Sequence, residues 1–321
     1  MSAERARLCL TGDVMCGRGI DQILRHPGDP AIHEPHVQSA RRYVELAEKR
    51  SGPIPRMVEP AYVWGEALDV LDAASPDAVI VNLETAVTDR GRPWPGKGIQ
   101  YRMNPANVDC LAVAGIDVAV LANNHVMDWS VEGLEQTLDV LHGAAIGTAG
   151  AGRDAAEAWA PASVDAPAGS RVLVFGLGST SSGIPPVWEA DERGPGVAML
   201  ADLSDRTVER IADVVQTWVR PDDVVVASVH WGGNWGYEIG PDRRRFAHRL
   251  IDEAGVHVVH GHSSHHPLGI EVHHGRLILY GCGDLLNDYE GIGGHERFRG
   301  GLGGLYLVSV SYTHLRAHET A

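Results

Sequence analysis

Five apolar runs in this chain end on residues that bind metals or move protons, and that recurrence constrains the fold more than any other feature. They are Thr11-Gly12-Asp13-Val14-Met15, Val81-Asn82-Leu83-Glu84, Leu121-Ala122-Asn123-Asn124-His125-Val126-Met127-Asp128, Ser228-Val229-His230-Trp231-Gly232, and Val259-His260-Gly261-His262-Ser263-Ser264-His265-His266. Short apolar runs read as buried strands, and helical periodicity separates them. In open α/β sheets, ligands bind beyond the carboxyl ends of strands. The five strand ends therefore predict one site assembled from distant segments.

The alternation fits an α/β or mixed α+β class. Strands are predicted over 7–14, 77–83, 116–122, 171–178, 223–230, 256–259, 269–273, 276–280 and 303–310. Helices are predicted over 39–50, 60–74, 105–114, 205–219 and 242–254, with one from Ser130 as N-cap to Leu141. One domain over 1–310 is the simplest organisation; 167–170 is the one candidate dividing point. The tail 311–321 breaks the strand pattern and reads as lying outside the fold.

Charge narrows the partners. Asp plus Glu total 42 against 27 Lys plus Arg, a net charge of −15. That balance opposes nucleic-acid binding and docking on anionic lipid. An anionic substrate stays open, because a bound cation inverts the local field. No run approaches the roughly 18 apolar residues of a membrane span, and the first segment is too short for a signal peptide. The expected compartment is cytoplasmic. The oligomeric state is left open.

Seven of the 17 histidines fall between His257 and His274. Four imidazoles in seven residues, His260, His262, His265 and His266, are hard to bury protonated, whereas a metal binds them neutral. The donor set is carboxylate, imidazole and amide oxygen. Cys9, Cys16, Cys110 and Cys282 form no C-x-x-C pair. One or two divalent ions of Mn, Fe, Zn or Mg are therefore expected. His26, His33, His36 and Arg243–Arg245 read as solvated, His273 and His274 as incidental, and the tryptophans as core.

The ordered set of motifs resembles the CapA family, named for poly-γ-glutamate capsule synthesis and grouped with the calcineurin-like metallophosphoesterases. Tyr280-Gly281-Cys282-Gly283-Asp284 with Asn287-Asp288 resembles its closing motif. The resemblance implies a four-layer αββα sandwich of two mixed β-sheets with a dinuclear site at one edge. By position, it implies Asp13, Glu84, Asn124, His230, His262 and His265 as metal ligands, Glu84 bridging. It implies His125 as the catalytic histidine and Asp128 as its orienting partner. Arg18 and Arg102 are candidates to grip a substrate anion; Asn82 and Trp231, beside candidate ligands, could line it. Two departures stand out: Met15 where metallophosphoesterases carry histidine, and an extra residue between His262 and His265.

The expected activity is hydrolysis of a phosphoester or a γ-glutamyl amide by metal-bound hydroxide, acting on a small or peptide-like anion. The alternative is a non-hydrolytic binding or assembly component of a polymer-synthesis complex that keeps a degraded site. The segments 26–64 and 88–102 are expected to form the pocket rim.

Overall fold

The computed structural model describes residues 5–311; the tail beyond them, 312–321, lies outside the described residues. The first sheet is built from β1 (Arg5–Val14), β2 (Ala78–Leu83), β3 (Val118–Val120) and β4 (Gly147–Ala149), adjacent in that order and all parallel. The second contains β5 (Ala162–Asp165), β6 (Arg171–Ser179), β7 (Met199–Leu200), β8 (Val224–His230), β9 (Val258–His262), β10 (Ile270–His273) and β11 (Arg276–Leu279). Its order is β7-β6-β8-β9-β11-β10, with β5 paired antiparallel to β6. The chain then returns to β1, adding β12 (Asp284–Leu286) parallel to it and β13 (Leu305–Ser311) antiparallel.

Alternation along the strands creates the layers. Side chains i and i+2 share one face of a sheet. Leu8, Leu10, Ile80, Val118 and Val120 point into an inter-sheet core against Val172, Val174, Val224, Val226 and Val258. Their neighbours Cys9, Val79, Val81 and Ala119 point outward, onto Leu71 of α1 (Ala67–Ala74) and Leu134, Leu138 and Leu141 of α2 (Ser130–Gly143). Beyond the second sheet, Leu173, Phe175, Val225 and Val259 meet Val208, Ile211 and Val215 of α3 (Asp205–Trp218) and Phe246, Leu250 and Ile251 of α4 (Pro241–Asp252). Helix, sheet, sheet and helix thus stack as the expected four-layer sandwich. Strands β2 and β8 are buried along their whole length, as parallel strands covered on both faces must be.

Several boundaries differ from the sequence-based expectation. The helix expected over 60–74 breaks at Gly65, whose φ of +51° leaves a 3₁₀ turn at Pro60–Trp64 ahead of α1. The 105–114 segment likewise splits, into a 3₁₀ turn at Pro105–Asn107 and a single turn at Asp109–Ala112. Ser130 does not cap α2: its φ is +63°, and its hydroxyl donates to Arg92 O at 2.8 Å. The strand expected over 256–259 starts later and continues to His262, because that end is buried between neighbours on both sides. Residues 167–170 form the turn joining β5 to β6 within one sheet.

Candidate metal centre

Because β1, β2, β3, β8 and β9 are parallel to their neighbours, their carboxyl ends share an edge of the sandwich. Register then chooses the neighbours. Asp13 stands beside Asn82 on one side and Asp284 on the other, and His230 stands beside His262. Gly12 allows the close approach of β12: a Cβ there would collide with Gly283 O, and Asp13 N donates to that same carbonyl at 2.9 Å. Asp284 follows directly. It is a site residue that the sequence reading placed in a closing motif without a role; no local pattern marks it.

Asp13, Glu84, His230, His262, His265 and Asp284 are all buried. Two groups of potential ligands share Asp13: Asp13 with His230 and His262, and Asp13 with His265 and Asp284. The resemblance assigned the bridging place to Glu84; the side chain common to both groups here is Asp13, with Glu84 against it. Asp13 Oδ1 accepts from Asn82 Nδ2 at 2.7 Å, while Asp13 Oδ2 and Glu84 Oε2 have no hydrogen-bond partner. Burial and the adjacent Asp284 carboxylate push Asp13 up to about 7. Burial and the neighbouring Asp13 push Glu84 well above the usual carboxylate range. Two unsatisfied buried carboxylate oxygens are costly unless a cation or proton compensates them.

The imidazole tautomers, inferred from the hydrogen-bond network, point the same way. Burial holds His230 and His262 well below their ordinary proton affinity and His260 at about 4, so all three are neutral near pH 7. Thr11 O can only accept, so His260 Nε2–H donates to it at 2.6 Å. His260 Nδ1 must then accept from the Ser228 hydroxyl at 2.9 Å. Ser228 Oγ accepts in turn from His262 Nε2–H at 3.0 Å, and His262 Nδ1 accepts from His230 Nδ1–H at 2.8 Å. The chain ends on the lone pair of His230 Nε2. That lone pair lies 3.0 Å from Asn124 Oδ1 and 3.8 Å from Glu84 Oε1. Three acceptors, His230 Nε2, Asn124 Oδ1 and Glu84 Oε1, thus face one another, and a cation can take the place of the proton that burial drives onto Glu84.

The extra residue before His265 is absorbed by Ser263, which turns the chain at φ +93° while its hydroxyl holds Gly232 O at 3.0 Å. His265 thereby reaches Asp284 Oδ1 at 2.8 Å and comes within 3.9 Å of Asp13 Oδ2. Burial works against its protonation, but Asp284 and Asp13 outweigh it and raise its proton affinity. Met15 is fully buried, its sulfur 3.7 Å from the Tyr289 hydroxyl.

Beside this cluster, His125 Nδ1 lies 2.6 Å from Asp128 Oδ2, and its Nε2 lies 3.7 Å from Glu84 Oε1. Asp128 also accepts the Tyr101 backbone N–H at 2.6 Å and pairs with Lys97. The Lys97 ammonium sits 3.0 Å from His125 Nδ1 and donates to Asn124 O. Burial, reinforced by Lys97 against the pull of Asp128, holds His125 at about 4. The sequence reading missed Lys97; its only mark is that the chain has two lysines.

The remaining candidates are placed elsewhere. Asn82 is inside the cluster. Arg18 is buried, paired with Asp288 and Glu34 and packed over Tyr43 and Tyr101. Arg102 lies over the Trp129 ring and donates to Asp29 O at 3.2 Å. Trp231 is buried in the core outside the second sheet, its Nε1 donating to Tyr280 O at 3.0 Å. His26, His33 and His36 are exposed. A cleft of about 700 Å³ opens onto the cluster at His265, Asn234 and Asn287. Tyr43, Arg50, Ile99 and Tyr101 supply walls from the two expected rim segments, and Tyr289–Arg299 supplies one that was not expected.

The model of the bacterial capsule synthesis protein PGA_cap matches residues 7–289. The chain belongs to this family. Among members of the capsule synthesis family, a probable polyglutamine synthesis accessory protein of Mycobacterium tuberculosis is 48% identical over 300 residues, covering 93% of this chain and 79% of the relative. The PGA biosynthesis protein CapA of Bacillus subtilis is 28% identical, covering 77% of this chain and 60% of its own length. The capsule biosynthesis protein CapA of Bacillus anthracis is 24% identical, covering 89% and 60%. Among the described residues, no helix is long and apolar enough to cross a membrane.

Proposed function

We propose that this family member is a metal-dependent hydrolase acting on a phosphoester or γ-glutamyl amide of an anionic, peptide-like substrate, in the synthesis or trimming of a glutamate polymer. The observation that carries the reading is the convergence of buried acceptors at Asp13, Glu84, Asn124 and His230, with two carboxylate oxygens unpartnered in the interior. Asp13, Glu84, Asn124, His230, His262, His265 and Asp284 would hold one or two divalent ions. When bound, such an ion polarises the scissile group and lowers the pKa of coordinated water.

The chain's own residues do the rest. Asp128 fixes the His125 tautomer, keeping Nδ1–H occupied and Nε2 free towards the cluster. Lys97 adds positive charge beside that ring. His125 thus meets a substrate anion as a neutral imidazole; the anion raises its proton affinity, so that Nε2 takes up a proton from solvent and passes it to the leaving group. Tyr289, Asn234 and Asn287 present polar groups to whatever fills the cleft.

Reconstitution with Mn²⁺ or Zn²⁺ and turnover of a generic phosphomonoester, a phosphodiester and a γ-glutamyl peptide test this. Metal-dependent turnover of any one, lost in His125→Ala, is the expected result. A second reading, a non-hydrolytic accessory component, is favoured by Met15 in place of a ligand and by the name of the mycobacterial relative, an accessory protein. Metal and polymer binding without turnover of all three substrates would establish it instead.

A further inference from the structure

A second group of histidines and carboxylates lies on the outside of the second sheet, at the opposite edge from the centre described above. Strand β11 runs parallel to β9, so the β10–β11 turn, where His273 pairs with Arg276, marks the amino-terminal end of β9. Two periodicities converge there. On α4, His248 and Asp252 are four residues apart and share a helical face. On β10, Glu271 and His273 are two apart and share a sheet face. Neither spacing in the sequence reveals the other half of the group.

The contacts are close. His248 Nε2 lies 2.7 Å from Glu271 Oε1, and His273 Nε2 lies 3.0 Å from both Asp252 oxygens. His274 Nδ1 lies 2.9 Å from Asp252 Oδ1. The His248 and His273 rings stack in parallel with centroids 3.9 Å apart, and the His273 and His274 rings are 4.1 Å apart. Four donor side chains from a helix and a hairpin thus converge on one spot, and the donor atoms of His248, Glu271 and His273 all lie within 4.8 Å of one another. Glu271 is further oriented by the Tyr280 hydroxyl, which donates to Oε2 at 2.8 Å, as a carboxylate ligand commonly is.

We infer that this group is a separate site for a divalent transition ion of the zinc class, held by His248, Glu271 and His273, with Asp252 on His273 as the neighbouring carboxylate. Imidazole and carboxylate without thiolate is a common donor set for such ions. Bonds of about 2.0–2.1 Å in a tetrahedron put ligand atoms about 3.3 Å apart. The His248–Glu271 pair, now at 2.7 Å, would open by a few tenths of an ångström, and His273 would close on the pair from within 4.8 Å. The half-buried His248, Glu271 and His273 and the exposed Asp252 can make that adjustment. The ion would tie α4 to the β10–β11 hairpin, an edge element otherwise exposed at Ile270 and Val272.

Equilibrium dialysis of the whole chain against buffered Zn²⁺, with the metal counted per chain, tests the site. The double variant His248→Ala with His273→Ala should hold one ion fewer than wild type, while His262→Ala lowers the count independently through the other centre. A failure of that other centre to bind leaves the wild-type minus double-variant difference intact, so the two readings fail separately. In wild type, Zn²⁺ should also shield His248 and His273 from modification by diethyl pyrocarbonate. Equal ion counts in wild type and double variant, or labelling of both histidines unchanged by saturating Zn²⁺, overturns the assignment.

Discussion

Replacing Asp13 with Asn should stabilise the metal-free protein and abolish its stabilisation by metal. The Asp13 carboxyl is fully buried, and its pKa rises from 3.8 to about 7 without a cation. A raised native pKa means that the native state binds the proton more tightly than the unfolded chain does. That contribution to stability is complete below pH 3.8 and is lost as pH rises through about 7. Three units at about 1.36 kcal/mol each make the ionised carboxylate cost about 4 kcal/mol above pH 7. Asparagine keeps the acceptor for Asn82 and carries no charge. Urea unfolding in chelator should therefore show the two proteins converging near pH 4, with the variant more stable by up to about 4 kcal/mol at pH 8. Titration of His257 and His260, neither of which Asp13 influences, is common to both proteins and cancels in the difference. Adding Mn²⁺ at a hundredfold excess over its dissociation constant should stabilise wild type by about 2.7 kcal/mol and leave Asp13→Asn unmoved. A chelated wild type as stable as the variant at pH 8, or equal gains from Mn²⁺, would refute the claim that Asp13 is held for a cation.

Asp128→Asn leaves one acceptor oxygen where His125, the Tyr101 N–H and Lys97 now share two, and removes the negative charge opposite Lys97; metal-dependent turnover should drop about 10²- to 10⁴-fold with metal content unchanged, read by parallel kinetics and metal analysis. His260→Ala deletes the link between Ser228 of one sheet and Thr11 of the other, and unfolding in urea should show a loss of about 3 kcal/mol from the unmade bonds. In Asp13→Asn, which lacks the opposing titration of Asp13, acid should destabilise the protein in a defined window. His257 is held at about 3 and His260 at about 4 by burial, both below the unfolded value of 6.5, so their contributions are complete above pH 6.5 and shrink as pH falls towards 4. Stability flat between pH 6.5 and 4 would contradict that. Arg18→Met strands Asp288 and Glu34 in the interior and should cost about 3–5 kcal/mol in the same assay, without changing metal stoichiometry.

The sequence by itself determined the chemistry of the strand ends and the layers behind them. A near-continuous apolar run such as Val224–Val229 can be satisfied only by a strand covered on both faces, and Asp13, Glu84, Asn124 and His125 stand where such strands stop. Tertiary structure decided which of those residues meet. The strands that carry His230 and His262 are separated by a whole helix, and their register follows from packing rather than local pattern. Asp284 joins Asp13 because Gly12 lets a later strand approach from the other side. His260, one residue from the site in sequence spacing, points between the sheets and fixes tautomers instead of facing the cluster. His273 and His274, which read as incidental, gather with His248 and Asp252 because a helix face with period 3.6 and a strand face with period 2 cross at one edge. Local periodicity states which side of its own element a side chain takes; only the docking of elements decides what lies opposite.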